Sequence, residues 1–136
     1  GLTCDVIVGF PGESEQHQTE TLEFLKKARF SDAHIFPYSR RPGTPADKMD
    51  GQLDRATKAK RSKQAQTVVA ETRDEFLRSM IGKTLPVLFE TKHGKGWLGH
   101  SDNYLEVMAE GEELRGTVRN VSIHAVSDGI LVGNVI

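Results

Sequence analysis

The run Val6-Ile7-Val8, stopped at once by Gly9-Phe10-Pro11-Gly12, constrains this chain more than any other feature. Contiguous β-branched residues read as a strand, here Leu2 to Phe10, and their continuity is the pattern of a parallel strand covered on both faces. A parallel partner requires a crossover, and the residues that follow supply one. Thr21, Leu22, Leu25 and Ala28 recur at helical spacing, with Phe24 widening the apolar face, which predicts a helix from Ser14 to about Arg29. Ser14 suits the N-cap, and Glu13 and Glu15 suit the positive end of the helix dipole. A second strand, Ala33-His34-Ile35-Phe36, ends at Pro37, completing a βαβ unit.

Pro37, Pro42, Gly43, Pro45 and Gly51 then punctuate a long loop, and loops of that length in compact domains tend to be functional or disordered. A helix follows from about Leu53 to Met80, with Ala65, Val68, Val69, Thr72, Phe76 and Met80 on one face and a basic first half, Arg55, Lys58, Lys60, Arg61 and Lys63. At Ile81-Gly82 the character changes, because Gly82 is a natural helix terminator and only short β-rich runs lie beyond it. These are Thr84–Glu90, Gly96–Ser101, Leu105–Ala109, Arg115–His124 and Gly129–Val135, separated by Gly-containing or acidic turns. The expected architecture is α/β followed by all-β: residues 1–81 as one part with its long helix, and 82–136 as a small five-stranded antiparallel barrel of the OB-like kind.

The 136 residues fit one ordinary domain or two small ones, and the formal net charge of −1 argues against a globally basic nucleic-acid binder. The single cysteine, Cys4, excludes an intramolecular disulfide and any self-contained cysteine-rich metal site. No apolar run is long enough to cross a bilayer and no signal segment opens the chain, so a reducing cytoplasmic setting is the expectation. The chain opens at Gly1 directly before an apolar strand, which reads as the middle of a longer polypeptide.

Two loops sit at the ends of the two expected parallel strands, where α/β folds place ligands. Gly9-Phe10-Pro11-Gly12-Glu13 is either a close backbone approach to a ligand or a tight turn whose Glu caps the next helix; it is neither a Rossmann nor a Walker spacing. Tyr38-Ser39-Arg40-Arg41 offers an aromatic ring, a hydroxyl and two guanidiniums suited to an adenosine, a carboxylate or a phosphate. The histidines His17, His34, His93, His100 and His124 show no metal-site spacing, and Cys4 reads as a small buried hydrophobe. In the C-terminal part, Lys92, Lys95, Trp97, His100, Asn103 and Tyr104 cluster as an RNA-binding surface of an OB-like barrel would, with bases stacked on rings and phosphates on lysines. A core Trp beside an Asx turn explains the same residues equally well. Between Gly82 and Ile136, seven acids outnumber five bases, so any RNA contact must use one face, together with the basic helix.

Asp5-Val6-Ile7-Val8-Gly9-Phe10-Pro11-Gly12-Glu13, Phe36-Pro37-Tyr38-Ser39-Arg40-Arg41-Pro42-Gly43-Thr44-Pro45-Ala46 and His100-Ser101-Asp102-Asn103-Tyr104 closely resemble the C-terminal half of radical S-adenosylmethionine tRNA methylthiotransferases. The last motif looks most like the branch acting on N6-threonylcarbamoyladenosine. The resemblance implies methylthiolation of C2 of that adenosine at tRNA position 37, with S-adenosylmethionine and two [4Fe–4S] clusters as cofactors of the whole enzyme. It implies that residues 1–81 are the C-terminal portion of a radical-SAM (β/α) barrel and that 82–136 are a TRAM domain binding the anticodon stem-loop. By position, Ile7 and Gly9 would lie by the adenine, and Tyr38, Ser39 and Arg41 would line the active-site mouth.

The chain departs from that family in one decisive respect. The family's clusters need a Cys-x₃-Cys-x₂-Cys triplet and three further cysteines, whereas only Cys4 is present, so no cluster is expected on this chain and the chain alone is expected to be inactive. The competing reading is a non-enzymatic RNA-binding module that dimerises through the unpaired strand edges of its βαβ unit.

Overall fold

The computed structural model describes residues 1–136, which form two compact units, Gly1–Arg73 and Asp74–Ile136.

In the first unit, β1 (Thr3–Val8) and β2 (Asp32–Pro37) form a two-stranded parallel sheet, with Thr3 opposite Asp32 and Val8 opposite Pro37. The crossover is α1 (Glu15–Ala28), opened by Ser14 as expected. Ser14 Oγ accepts from the His17 amide at 3.2 Å and His17 Nδ1 accepts from the Ser14 amide at 3.1 Å, a reciprocal cap. A second helix, α2 (Arg55–Arg78), follows a short 3₁₀ turn at Ala46–Lys48. Val8, Leu25, Phe30, Ala65, Val68 and Val69 form the core, flanked by Cys4, Val6, Leu22, Ala28, Ala33 and Ile35.

The sheet is not covered on both faces. Burial alternates along β1, so Cys4, Val6 and Val8 face the helices while Ile7 is 59% exposed, and Phe36 on β2 is 51% exposed. Both helices lie on one side, and the continuous β-branched run therefore serves a sheet covered once. Phe24 likewise fails to widen the core stripe of α1; it is exposed and touches Phe30 edge-on.

The second unit begins with the last turns of α2 and continues through β3 (Thr84–His93), β4 (Gly96–Ser101), β5 (Glu106–Glu110), β6 (Val118–Ser127) and β7 (Ile130–Val135). The five strands close into a barrel in the order β3-β4-β5-β7-β6, with β6 pairing back onto β3. Four pairings are antiparallel, but β5 and β7 run parallel, which corrects the expectation of an antiparallel barrel. The connection after β5 carries the chain across the barrel end to β3, and β7, hairpin-linked to β6, must return alongside β5 in the same direction. This is the Greek-key strand order of an OB-like barrel.

Irregularities at Phe89/Thr91 and Ile123/Ala125 bend the long strands β3 and β6 so that the sheet can close. Gly99 and Gly133 are required by close backbone approach, since a Cβ at either would collide with the carbonyl oxygen of Leu88 or Ser122. Val87, Phe89, Trp97, Val107, Ile123 and Leu131 fill the interior. Leu77 and Met80 belong to the same core, which is why compactness divides the chain at Arg73/Asp74, inside α2, while the change to β structure comes at Gly82.

Candidate functional site

A cavity of about 510 Å³ opens at the C-terminal end of the two-stranded sheet, lined by Ile7, Phe36, Pro37, Tyr38, Ser39, Arg41, Thr44 and Ala46. Four of the five expected ligand residues, Ile7, Tyr38, Ser39 and Arg41, thus meet in one place. Tyr38 is fixed at the strand end by its amide, which donates to the Val8 carbonyl at 2.8 Å, and by Phe10, whose ring packs edge-on at 5.4 Å. Its hydroxyl is buried without a hydrogen-bond partner. The two guanidiniums have different roles. Arg40 is held by Asp47 through contacts of 2.7 Å to carboxylate and carbonyl, whereas Arg41 forms no ion pair and lines the cavity.

Gly9 does not line the cavity. It is buried, its amide donates to Glu13 Oε1 at 3.0 Å, and a Cβ there would collide with the Lys58 side chain. The glycine makes room for Lys58, whose Nζ lies 5.8 Å from the Tyr38 ring centroid.

Sequence reasoning did not assign the lining residues Phe36, Pro37, Thr44 and Ala46, nor Glu13, Lys58 and Arg61, which do not line the cavity but contact the loops that form it. Arg61 is 4% exposed, and its Nη1 donates to Glu13 Oε1 at 2.8 Å and to the Glu13 carbonyl at 2.9 Å, while Nη2 reaches Glu15 Oε1 at 3.1 Å. Burial pulls the Arg61 pKa down, but the hydrogen bonds and charges of Glu13 and Glu15 outweigh it and leave the group above its ordinary value. The signal for Arg61 was its spacing: it stands four residues before Ala65, on the buried stripe of α2 rather than on a solvated basic face.

In the barrel, the expected RNA-binding residues fall into two groups. Trp97 is 2% exposed, part of the core, and donates from Nε1 to the Gly111 carbonyl at 3.2 Å. Lys92 Nζ and Arg115 Cζ lie 5.5 and 5.6 Å from its ring centroid. Of the two readings of Trp97, the structure takes the core one; the ring is no platform for a base. Lys95 stands exposed in the β3–β4 turn. His100, Asn103 and Tyr104 are elsewhere, at the end of β4. His100 Nδ1 is 3.4 Å from Glu90 Oε1, and Asn103 accepts from the buried Ser101 hydroxyl, which organises the turn by also accepting from the Leu105 amide at 3.1 Å. Tyr104 is 88% exposed with φ +63° and borders an open groove of about 530 Å³ with Pro86, Leu88 and Val118.

The donor set does not fit an iron–sulfur cluster. Cys4 is the single thiol, and no three His, Cys, Asp or Glu side chains converge. The adenosylmethionine class fits the cavity better, with apolar walls, an aromatic ring, hydroxyls and one free guanidinium. No helix is long and apolar enough to cross a membrane.

No family model matches the chain. Curated proteins do. The threonylcarbamoyladenosine tRNA methylthiotransferase of Bacillus subtilis is 36% identical over 128 residues, covering 90% of this chain and 28% of its own length. The chain is homologous to tRNA methylthiotransferases. The tRNA-2-methylthio-N(6)-dimethylallyladenosine synthases of Campylobacter jejuni subsp. doylei and Maricaulis maris are 39% and 41% identical, covering 99% and 98% of the chain and 32% and 30% of their own lengths. The chain therefore spans about three tenths of the length of these relatives. Relatives named for two different adenosine substrates align with it about equally well, so similarity does not single out the threonylcarbamoyl branch.

Proposed function

We propose that the chain is part of a radical S-adenosylmethionine tRNA methylthiotransferase, with residues 1–81 contributing the C-terminal portion of the (β/α) barrel and 82–136 a TRAM domain that holds the anticodon stem-loop. The alignment of nearly the whole chain with tRNA methylthiotransferases carries this reading. Its finer form assigns threonylcarbamoyladenosine at position 37 as the substrate, on the likeness of the His100–Tyr104 motif, and a cytoplasmic setting. When bound, adenosylmethionine supplies the methyl group and radical chemistry. This chain's part is to bind and orient it: Ile7 and Phe36 offer apolar contact to an adenine, Tyr38 and Ser39 shape the cavity edge, and Arg41 offers its charge to a carboxylate. The clusters would be held by cysteines outside this chain, whose one thiol is Cys4.

Binding to an anticodon stem-loop, titrated with salt, tests the RNA half. Saturable binding that falls as salt rises and weakens in Lys92→Ala, Lys95→Ala and Tyr104→Ala supports it, because phosphate contacts are salt-dependent and exposed rings stack bases. Absence of binding at low salt overturns it for this chain.

The open sheet favours a second reading, self-association. Ile7 and Phe36 are exposed on a face with no covering layer, and the sheet has only two strands. A monomeric mass by sedimentation at high concentration excludes it.

A further inference from the structure

Arg61 is the one charged side chain buried in this chain, and it touches no cavity-lining residue in the hydrogen-bond network. A buried guanidinium is costly unless it is paired, and the side-chain hydrogen bonds of Arg61 all go to Glu13 and Glu15 at the Gly9–Glu13 turn and the start of α1. We infer that Arg61 is a positioning residue that sets the shape of the Ile7–Tyr38 cavity by clamping the Gly9–Glu13 loop from behind. This rests on the reading that the cavity receives an adenosyl ligand.

Two connections run from the clamp to the cavity, both within the first unit. Glu13 Oε1 accepts at once from Arg61 Nη1 at 2.8 Å and from the Gly9 amide at 3.0 Å, fixing the turn directly after Ile7 and Val8. The Val8 carbonyl in turn holds the Tyr38 amide. On the other side, Arg61 Nη1 holds the Glu13 carbonyl, and the neighbouring Gly12 amide donates to the Gly51 carbonyl at 2.9 Å. That bond pins the end of the 37–51 loop, which is braced internally by Arg40 on Asp47 and by Gln52 Nε2 on the Ala46 carbonyl at 2.9 Å. Thr44 and Ala46 on this loop form the far wall. One guanidinium thus governs both walls without facing the ligand. Lys58, nearly one turn earlier on α2, adds a third contact by lying against Gly9 and over Tyr38.

Calorimetric binding of S-adenosylhomocysteine to the 136-residue chain, with amide hydrogen exchange, tests the inference. Arg61→Met, measured where circular dichroism shows it folded, is expected to bind about tenfold more weakly, the loss associated with a charge-assisted hydrogen bond. Exchange at the Gly9 and Gly12 amides is expected to accelerate while the Leu25 and Val69 amides of the core stay protected, a local signature that general destabilisation does not produce. Arg61→Lys, which keeps the charge on a single donor nitrogen, is expected to recover part of both losses. Unchanged affinity together with unchanged exchange at Gly9 and Gly12 overturns the inference. If the unsubstituted chain fails to bind S-adenosylhomocysteine, the ligand reading fails, and the exchange rates alone decide whether Arg61 shapes the loop. Should Arg61→Met not fold, Arg61→Lys and Glu13→Gln decide by the same two measurements: weaker S-adenosylhomocysteine binding with faster Gly9 exchange supports it, and wild-type behaviour in both overturns it.

Discussion

The indole nitrogen of Trp97 donates to the carbonyl of Gly111 at 3.2 Å, tying the start of β4 to the loop after β5. The residue that looked most like a base-stacking platform is thus a structural pin, and the exposed ring of the barrel belongs to Tyr104. Trp97→Ala is expected to destabilise the barrel by about 3–5 kcal/mol. Tyr104→Ala is expected to leave the melting midpoint nearly unchanged, within about 0.5 kcal/mol, while weakening stem-loop binding. Denaturant unfolding and RNA titration on the two variants check this; equal loss of stability in both refutes the assignment.

Gly99 faces the Leu88 carbonyl across the β3–β4 pairing, with no space for a methyl group and no flexible side chain to give way. Gly99→Ala is expected to cost at least about 2 kcal/mol, since overpacking against backbone cannot be relieved by a rotamer change. A thermal melt showing a wild-type midpoint would refute the collision.

Asp54 caps α2, its carboxylate accepting from the Thr57 amide at 2.7 Å, and hydrogen bonds to Thr57 hold its pKa below the ordinary carboxylate value. A group lowered on folding stabilises the fold above its unfolded pKa, about 3.9, and that contribution disappears as pH falls through the lower folded value. Asp54→Asn keeps a capping oxygen and removes the titration. The difference in melting temperature between Asp54→Asn and the parent chain is expected to change between pH 5 and pH 2; a constant difference refutes the linkage.

The thiol of Cys4 is pushed up in pKa, first by burial and then by the adjacent Asp5 charge. It therefore stays protonated at neutral pH and is expected to react with a disulfide reagent more slowly than the same thiol in the denatured chain. Equal rates in buffer and in denaturant would show that the site is open.

Local chemistry was legible wherever it decided the structure alone. Ser14 announced the first helix, and the turn residues announced the five strands of the barrel, because caps and turns are short-range effects; the second helix stops at Arg78, four residues before the glycine expected to end it. What escaped depends on what lies across the fold. Val6-Ile7-Val8 cannot reveal that its second face is uncovered, since β-branched residues suit both cases. Arg61 resembles its basic neighbours in composition, and its place on the buried stripe of α2 marks it as inward-facing without naming its partner, Glu13, forty-eight residues away. The parallel pairing of β5 and β7 follows from the path of a connection rather than from either strand's sequence. The cavity was legible for Tyr38, Ser39 and Arg41 because their loop follows a parallel strand end, for Ile7 only through the family resemblance, and illegible for Gly9 because its neighbour, Lys58, comes from a distant helix.

The position of β7 between β5 and β6 bears on how the barrel is made during synthesis. Both of its neighbours lack a pairing partner on one side until residues 130–135 have left the ribosome, so no partial product can close the ring. Contacts between segments far apart in sequence form late. Hairpin β3–β4 can zip as it emerges, but β5 waits with an open edge for β7 to arrive, and an unpaired edge of this kind is open to mispairing until then.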